Sequence, residues 1–174
     1  DDAWSLKVMN DNRFEVGVHI ADVGHYVKPG TKLDDEAYER ATSVYLVDRC
    51  VSMLPERLSN GICSLKPNED RLAFSVVFTL DSDGKIVKEW HGKTVIHSDM
   101  RFAYEDAQEI IEGNDEKYTG DGSVYPLMIN HLNTLAKKIR KKRIKDGSLE
   151  MGGVEVRFEL AEDNTKPIGV YFKE

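Results

Sequence analysis

Residues 72–96 read LAFSVVFTLDSDGKIVKEWHGKTVI, and this stretch decides the fold class. Leu72 to Leu80 is rich in Phe and Val, Asp81-Ser82-Asp83-Gly84 is turn chemistry, and Lys85 to Ile96 returns with β-branched and aromatic residues. Two such runs joined by an Asp/Gly turn predict an antiparallel hairpin. Upstream the same pattern recurs. Trp4, Leu6 and Val8 alternate with polar residues, Asn10-Asp11-Asn12 turns, and Phe14, Val16, Val18 and Ile20 alternate on the far side. Period-two alternation predicts a second hairpin with one buried face. Near the end, Val154–Phe158 and Ile168–Phe172 flank a Pro-containing turn as a third.

Helices are expected between these hairpins. Leu33 to Ala41 follows Pro29-Gly30 and carries Asp34, Asp35 and Glu36 near the positive end of a helix. Asp106, Glu109 and Glu112 alternate with Ala107, Ile110 and Ile111 in a short amphipathic segment closed by Gly113. From Tyr125, Met128, Leu132, Leu135 and Ile139 recur at three- and four-residue steps, the seam of a long helix ended near Gly147. Residues 43–70 read as one long irregular segment, a length that in a compact domain is often functional. The expectation is an α+β fold, with hairpins feeding an antiparallel or mixed sheet and helices packed on it.

Composition bounds the function. The chain has 174 residues, enough for one domain or two very small ones with a real core. No apolar run approaches the roughly 20 residues of a membrane span. Only Cys50 and Cys63 occur, so a disulfide framework is not expected, both thiols read as ordinary and partly buried, and a reducing, cytoplasmic setting fits. No targeting segment is visible, and both ends run close to strand-like sequence, so the chain is expected to be a piece of a longer polypeptide. The net charge of −7 argues against a general nucleic-acid-coating protein. That charge is uneven, because Lys137–Lys145 holds seven of the 24 basic residues and the rest of the chain stands at −14. This run is either a solvated helix end that suits the negative C-terminal dipole or a salt-sensitive phosphate contact.

Other candidates divide in the same way. Asp1-Asp2 is half of a carboxylate cluster for Mg²⁺, or a solvated end. His19, Asp22 and His25 have ligand-type spacing, but His19 alternates with core positions and Asp22 is expected to cap a turn. No GxGxxG, GxxxxGK[ST] or GxSxG stretch occurs. Tyr45, in the long irregular segment, is a core-edge residue or a base-stacking platform.

Several stretches match one family together. DDAWSLK (1–7), EVGVHIADVGHYVKPGTKLDDEAYERATSVYL (15–46), MLPERLSNGICSLKPNEDRLAFSVVFTLDSDG (53–84), GKTVIHSD (92–99), YEDAQEII (104–111) and GSLEMGGVEVRFEL with KPIGVYFKE (147–160 and 166–174) closely resemble the catalytic RNB domain of the RNase R / RNase II family. The wording is closer to RNase R than to RNase II. The resemblance implies part of a processive, Mg²⁺-dependent hydrolase that degrades single-stranded RNA from its 3′ end to nucleoside 5′-monophosphates. It maps Asp1 and Asp2 onto the last two of four metal-binding aspartates, the others lying upstream, and Tyr45 onto a tyrosine that stacks near the scissile nucleotide. A later Arg of the family's active site would lie beyond Glu174. Met151 stands where a second stacking aromatic often occurs. With half the acidic cluster present, these residues alone are expected to have little or no exonuclease activity. The competing reading is a catalytically silent RNA-binding or scaffold module whose acidic surface meets protein. In either case, the last hairpin is expected to leave an open sheet edge that invites self-association.

Overall fold

The structure is a computed structural model and describes residues 2–119, 123–149, 152–161 and 166–173. Its first unit comprises Asp1–Asp22 and Cys63–Ser148; its second comprises Val23–Ile62 and Leu149–Glu174.

The first unit is built on a four-stranded sheet. Strands β1 (Asp2–Val8) and β2 (Phe14–Ala21) form the upstream hairpin, and β5 (Asp70–Leu80) and β6 (Ile86–His97) form the downstream one. Their order is β1-β2-β5-β6, each neighbour antiparallel. The turn between β5 and β6 is held by Asp81, whose Oδ1 accepts the N–H groups of Asp83 and Lys85, each at 2.9 Å. Gly84 closes it at φ 78°, in the left-handed region that a side chain disfavours.

Helix α4 (Tyr125–Lys145) covers one face of this sheet near that turn. Leu135 is buried with Val16 and Leu80, and Leu6, Phe14, Phe78, Leu132 and Ile139 pack around them. The three- and four-residue spacing of Leu132, Leu135 and Ile139 puts them on one helix side, as the sequence predicts. The ring of His131 lies 5.4 Å from that of Phe14. Helix α4 ends in a Schellman arrangement: Gly147 N–H donates to Ile144 O at 3.1 Å, Ser148 N–H donates to Arg143 O at 3.0 Å, and Gly147 takes φ 99°. Helix α3 (Tyr104–Ile111) packs against α4 and buries Ile110 completely.

The buried face predicted for the first hairpin is buried only in part. Val16 lies in the core, but Trp4 (58% exposed) and Ile20 (49% exposed), on the same face at the other end, do not. Helix α4 reaches only the turn-proximal half of the sheet, so alternation marked the face correctly and overstated how far the cover extends.

In the second unit, α1 is a single turn (Val23–Tyr26) and α2 (Lys32–Arg40) is capped by Thr31, whose Oγ1 accepts the N–H of Asp34 at 3.3 Å. The segment expected to be irregular from residue 43 holds more structure than its sequence predicts. Strands β3 (Val44–Tyr45) and β4 (Cys50–Val51) make a small hairpin, and a helical stretch over Arg57–Ile62 is kinked at Gly61. Strands too short to alternate carry no periodic signal. Strands β7 (Glu155–Leu160) and β8 (Pro167–Lys173) form the third expected hairpin, with a bulge between Glu159 and Leu160. Among the described residues no helix is long and apolar enough to cross a membrane.

Candidate functional site

Asp2 opens β1 with its side chain exposed, directly opposite Ile20 of β2. Ile20 is opposite Phe74 of β5, and Phe74 is opposite Lys93 of β6. Cross-strand partners share a face, so Asp2, Ile20, Phe74 and Lys93 form one row across the sheet, at the end remote from the α4 core. Asp1, the other half of the predicted pair, lies outside the described residues, as does Met151. A carboxylate pair offers the hard oxygen donors that Mg²⁺ prefers. Among the described residues, however, no group of three or more His, Cys, Asp or Glu side chains is gathered to hold a metal ion. The donors have the right chemistry but are too few to make a site by themselves.

On the opposite face runs a chain of polar side chains, one from each strand. His19 Nδ1 is 2.7 Å from Ser75 Oγ, and its Nε2 is 3.0 Å from Ser5 Oγ. Ser75 Oγ is in turn 2.5 Å from Thr94 Oγ1, which also donates to the carbonyl of Ala73 at 3.3 Å. Ser75 is wholly buried. A neutral imidazole donates through one nitrogen and accepts through the other, and so fits between two hydroxyls. Burial holds the His19 imidazole below the ordinary histidine range. Gly17 makes room for this chain, since a Cβ there would sit 2.3 Å from Ser5 Oγ and 2.6 Å from His19 Nε2. His19 is therefore a satisfied structural group in this sheet.

Asp22 does not cap the turn after β2, as the sequence reading expected. Its carboxylate, 11% exposed, pairs with Lys93 Nζ at 3.0 Å, while its N–H donates to Leu72 O. The partner is 71 positions away in the chain, a distance at which local turn rules carry no information. Cys63 is buried, and burial followed by the nearby Asp22 charge raises its thiol above the ordinary range. Cys50 is exposed, so the two thiols are unlike each other.

The segment leading into β5 is pinned by Arg71. Its Nε donates to Ser64 O at 2.9 Å, its Nη1 donates to Asp70 O at 3.0 Å, and its Nη2 pairs with Glu69. At the same strand end, His97 Nδ1 meets Asp70 Oδ1 at 2.8 Å on the surface.

Tyr45 stands on β3, paired with Cys50 across the small hairpin, and is 82% exposed. The hairpin is closed by Leu46 N–H donating to Arg49 O at 2.8 Å, and Ser43 Oγ accepts the N–H of Met53 at 3.1 Å. An exposed phenol ring on a hydrogen-bonded hairpin presents an open face for stacking. The core-edge alternative does not hold for Tyr45.

Comparison with known proteins adds a family. The model of the RNB domain matches residues 1–174. DIS3-like exonuclease 2 of Schizosaccharomyces pombe is 45% identical over 174 residues, covering 93% of this chain and 18% of that protein. Exosome complex exonuclease RRP44 of Homo sapiens is 39% identical over 177 residues, covering 100% of this chain and 18% of its own length. Among solved structures, Mycoplasma genitalium RNase R in complex with ribose methylated single-stranded RNA superposes with a TM-score of 0.88 at 30% identity, covering 99% of this chain and 26% of that one. The chain thus spans about a fifth of the length of the curated relatives it matches.

Proposed function

The chain belongs to the RNB domain family, and from that membership we propose that it forms the N-terminal portion of the catalytic domain of a 3′-to-5′ exoribonuclease. The substrate is single-stranded RNA, hydrolysed processively from its 3′ end to nucleoside 5′-monophosphates in a reducing, cytoplasmic compartment. The observation that carries this reading is the match over residues 1–174, with Asp2 opening β1.

In this reading Asp1 and Asp2 are ligands of Mg²⁺, completed by carboxylates from elsewhere in the full-length protein. Bound Mg²⁺ supplies activation of water and relief of the negative charge that grows on the phosphate. The chain's own residues do the rest. Antiparallel pairing with β2 holds the start of β1, and Asp2 with it, in a fixed place on the sheet. Tyr45 stacks on a base near the scissile bond and orients the strand, since every base offers a π-face regardless of sequence. Two adjacent carboxylates do not complete a metal cluster, so these 174 residues alone are expected to show little or no turnover.

The test is Asp2→Asn in the full-length protein, assayed on a 3′-labelled single strand. Release of nucleoside monophosphates should fall by orders of magnitude while RNA affinity is retained, because an amide keeps the shape of the carboxylate and loses its charge. Undiminished turnover would overturn the assignment.

A further inference from the structure

We infer that Lys137–Lys145, about the last two and a half turns of α4, form a contact surface for the phosphate backbone of RNA, separate from the acidic end of the sheet. The inference rests on the proposed RNA substrate and adds to it the place where a second part of the strand is held.

Leu132, Leu135 and Ile139 face Val16 and Leu80, and the stripe ends at Ile139. At 3.6 residues per turn, Lys142 and Arg143 continue that inward stripe, one turn beyond it. Both are cations, and both are exposed, as is every residue from Arg140 to Leu149. Lys137 and Lys141 point away from the core, and Lys145 lies on the flank. The helix therefore carries positive charge on every side of its free end. A solvated helix end needs cations on its outer face and gains from a few near the negative dipole. It does not need them where the core stripe would run.

Five of the seven cations are without an acidic partner among the described residues: no acidic side chain pairs with Lys137, Lys141, Lys142, Arg143 or Lys145. Lys138 differs, because its Nζ donates to Ser82 O at 2.5 Å and lies 3.8 Å from Asp83. It ties the helix to the β5–β6 turn, and Gly84 comes close enough to Ile139 that a Cβ would sit 2.9 Å from Cγ1. The cations beyond that tether thus start from a fixed base. In a chain whose remaining residues sum to −14, an all-round cationic helix end matches a flexible polyanion, which can wrap it. Neutralising phosphates releases counterions, so the contact should be sequence-independent and strongly salt-dependent.

The experiment compares two triple variants of the full-length protein, carrying Asp2→Asn to prevent degradation, by fluorescence anisotropy with labelled oligouridylate across a salt series. One variant is Lys137→Gln, Lys141→Gln and Lys145→Gln. The other, Lys7→Gln, Lys28→Gln and Lys66→Gln, makes the same change in net charge elsewhere. The helix triple should weaken binding tenfold or more at low salt and flatten the slope of log K against log salt by about two, at roughly 0.7 per phosphate contact for a single strand. The control triple should leave that slope near its starting value. Equal slopes for the two variants would overturn the inference, as would a helix triple that kept its full affinity for the oligouridylate. Turnover by the two triples built without Asp2→Asn separates the two readings. Degradation of RNA with unchanged helix-triple slopes removes only this surface, whereas absence of RNA binding and turnover in the unmutated protein removes the function itself.

Discussion

The imidazole of His19 and the hydroxyl of Ser75 meet at 2.7 Å between β2 and β5, with Ser75 wholly closed to solvent. Because burial lowers the affinity of His19 for a proton, the unfolded chain binds that proton more readily than the fold does. Stability from this group is therefore intact above the unfolded histidine value of about 6.5 and is lost as pH falls below it, until His19 itself protonates in the fold. Urea midpoints taken from neutral to mildly acidic pH should decline more steeply for the unmutated chain than for His19→Gln. Parallel declines would show that His19 does not govern the slope.

Ser75→Ala removes the middle hydroxyl of the same chain and leaves His19 Nδ1 without its partner. A buried polar atom left unsatisfied costs about 1–3 kcal/mol. Chemical denaturation should report a loss in that range, and a loss near zero would mean that water replaces the hydroxyl.

Leu135→Ala removes the α4 side chain that is buried with Val16 and Leu80. Truncating a buried leucine typically costs about 2–5 kcal/mol, depending on how far the surroundings collapse. The same measurement on Leu127→Ala, an exposed leucine of the same helix, should show little change. The contrast between the two separates packing from helix propensity.

Tyr45→Ala should weaken binding of single-stranded RNA by about 1–3 kcal/mol, the usual worth of one stacked base. At 82% exposure the side chain contributes little to packing, so the melting temperature should hold. Tyr45→Phe should restore most of the affinity, because stacking uses the ring and not the hydroxyl. Failure of the Phe variant to rescue would assign the effect to a hydrogen bond instead.

The two thiols should be distinguishable by alkylation. Exposed Cys50 should react with iodoacetamide in the native protein, whereas Cys63, buried and with a raised thiol, should react only on unfolding. Native labelling at both positions, read by mass spectrometry, would contradict the placement of Cys63.

Much of this fold is legible in local pattern. Period-two alternation located β1 and β2 to within a few residues, apolar runs about an Asp/Gly turn located β5 and β6, and the spacing of Leu132, Leu135 and Ile139 located α4. Both follow from repeats that the chain must keep in order to bury one face. What escaped local reading depended on partners distant in the chain. His19 invited a metal reading because Asp22 and His25 follow it at three-residue steps; its real partners, Ser5 and Ser75, become visible only once the strands are aligned. Asp22 was read as a turn cap for the same reason, with Lys93 on the far side of the sheet. The candidate site divides similarly. The exposure of Tyr45 follows from a hairpin too short to leave a pattern, while the charge on α4 was plain from composition and gained its meaning from where the core stripe stops.

The four-residue polar chain has a further consequence for how the sheet is made. Side chains in a strand change faces at every step, so a strand that pairs one residue out of place presents the wrong set to each side. Were β1 to slip by one, Ser5 would turn away from His19 and an apolar neighbour would meet the imidazole instead. A purely apolar face tolerates many near-equivalent alignments, because one methyl group replaces another at small cost. Ser5, His19, Ser75 and Thr94, one from each strand, tolerate a single alignment. They act as a checksum on assembly, and the strand whose position they verify is the one that begins with Asp2.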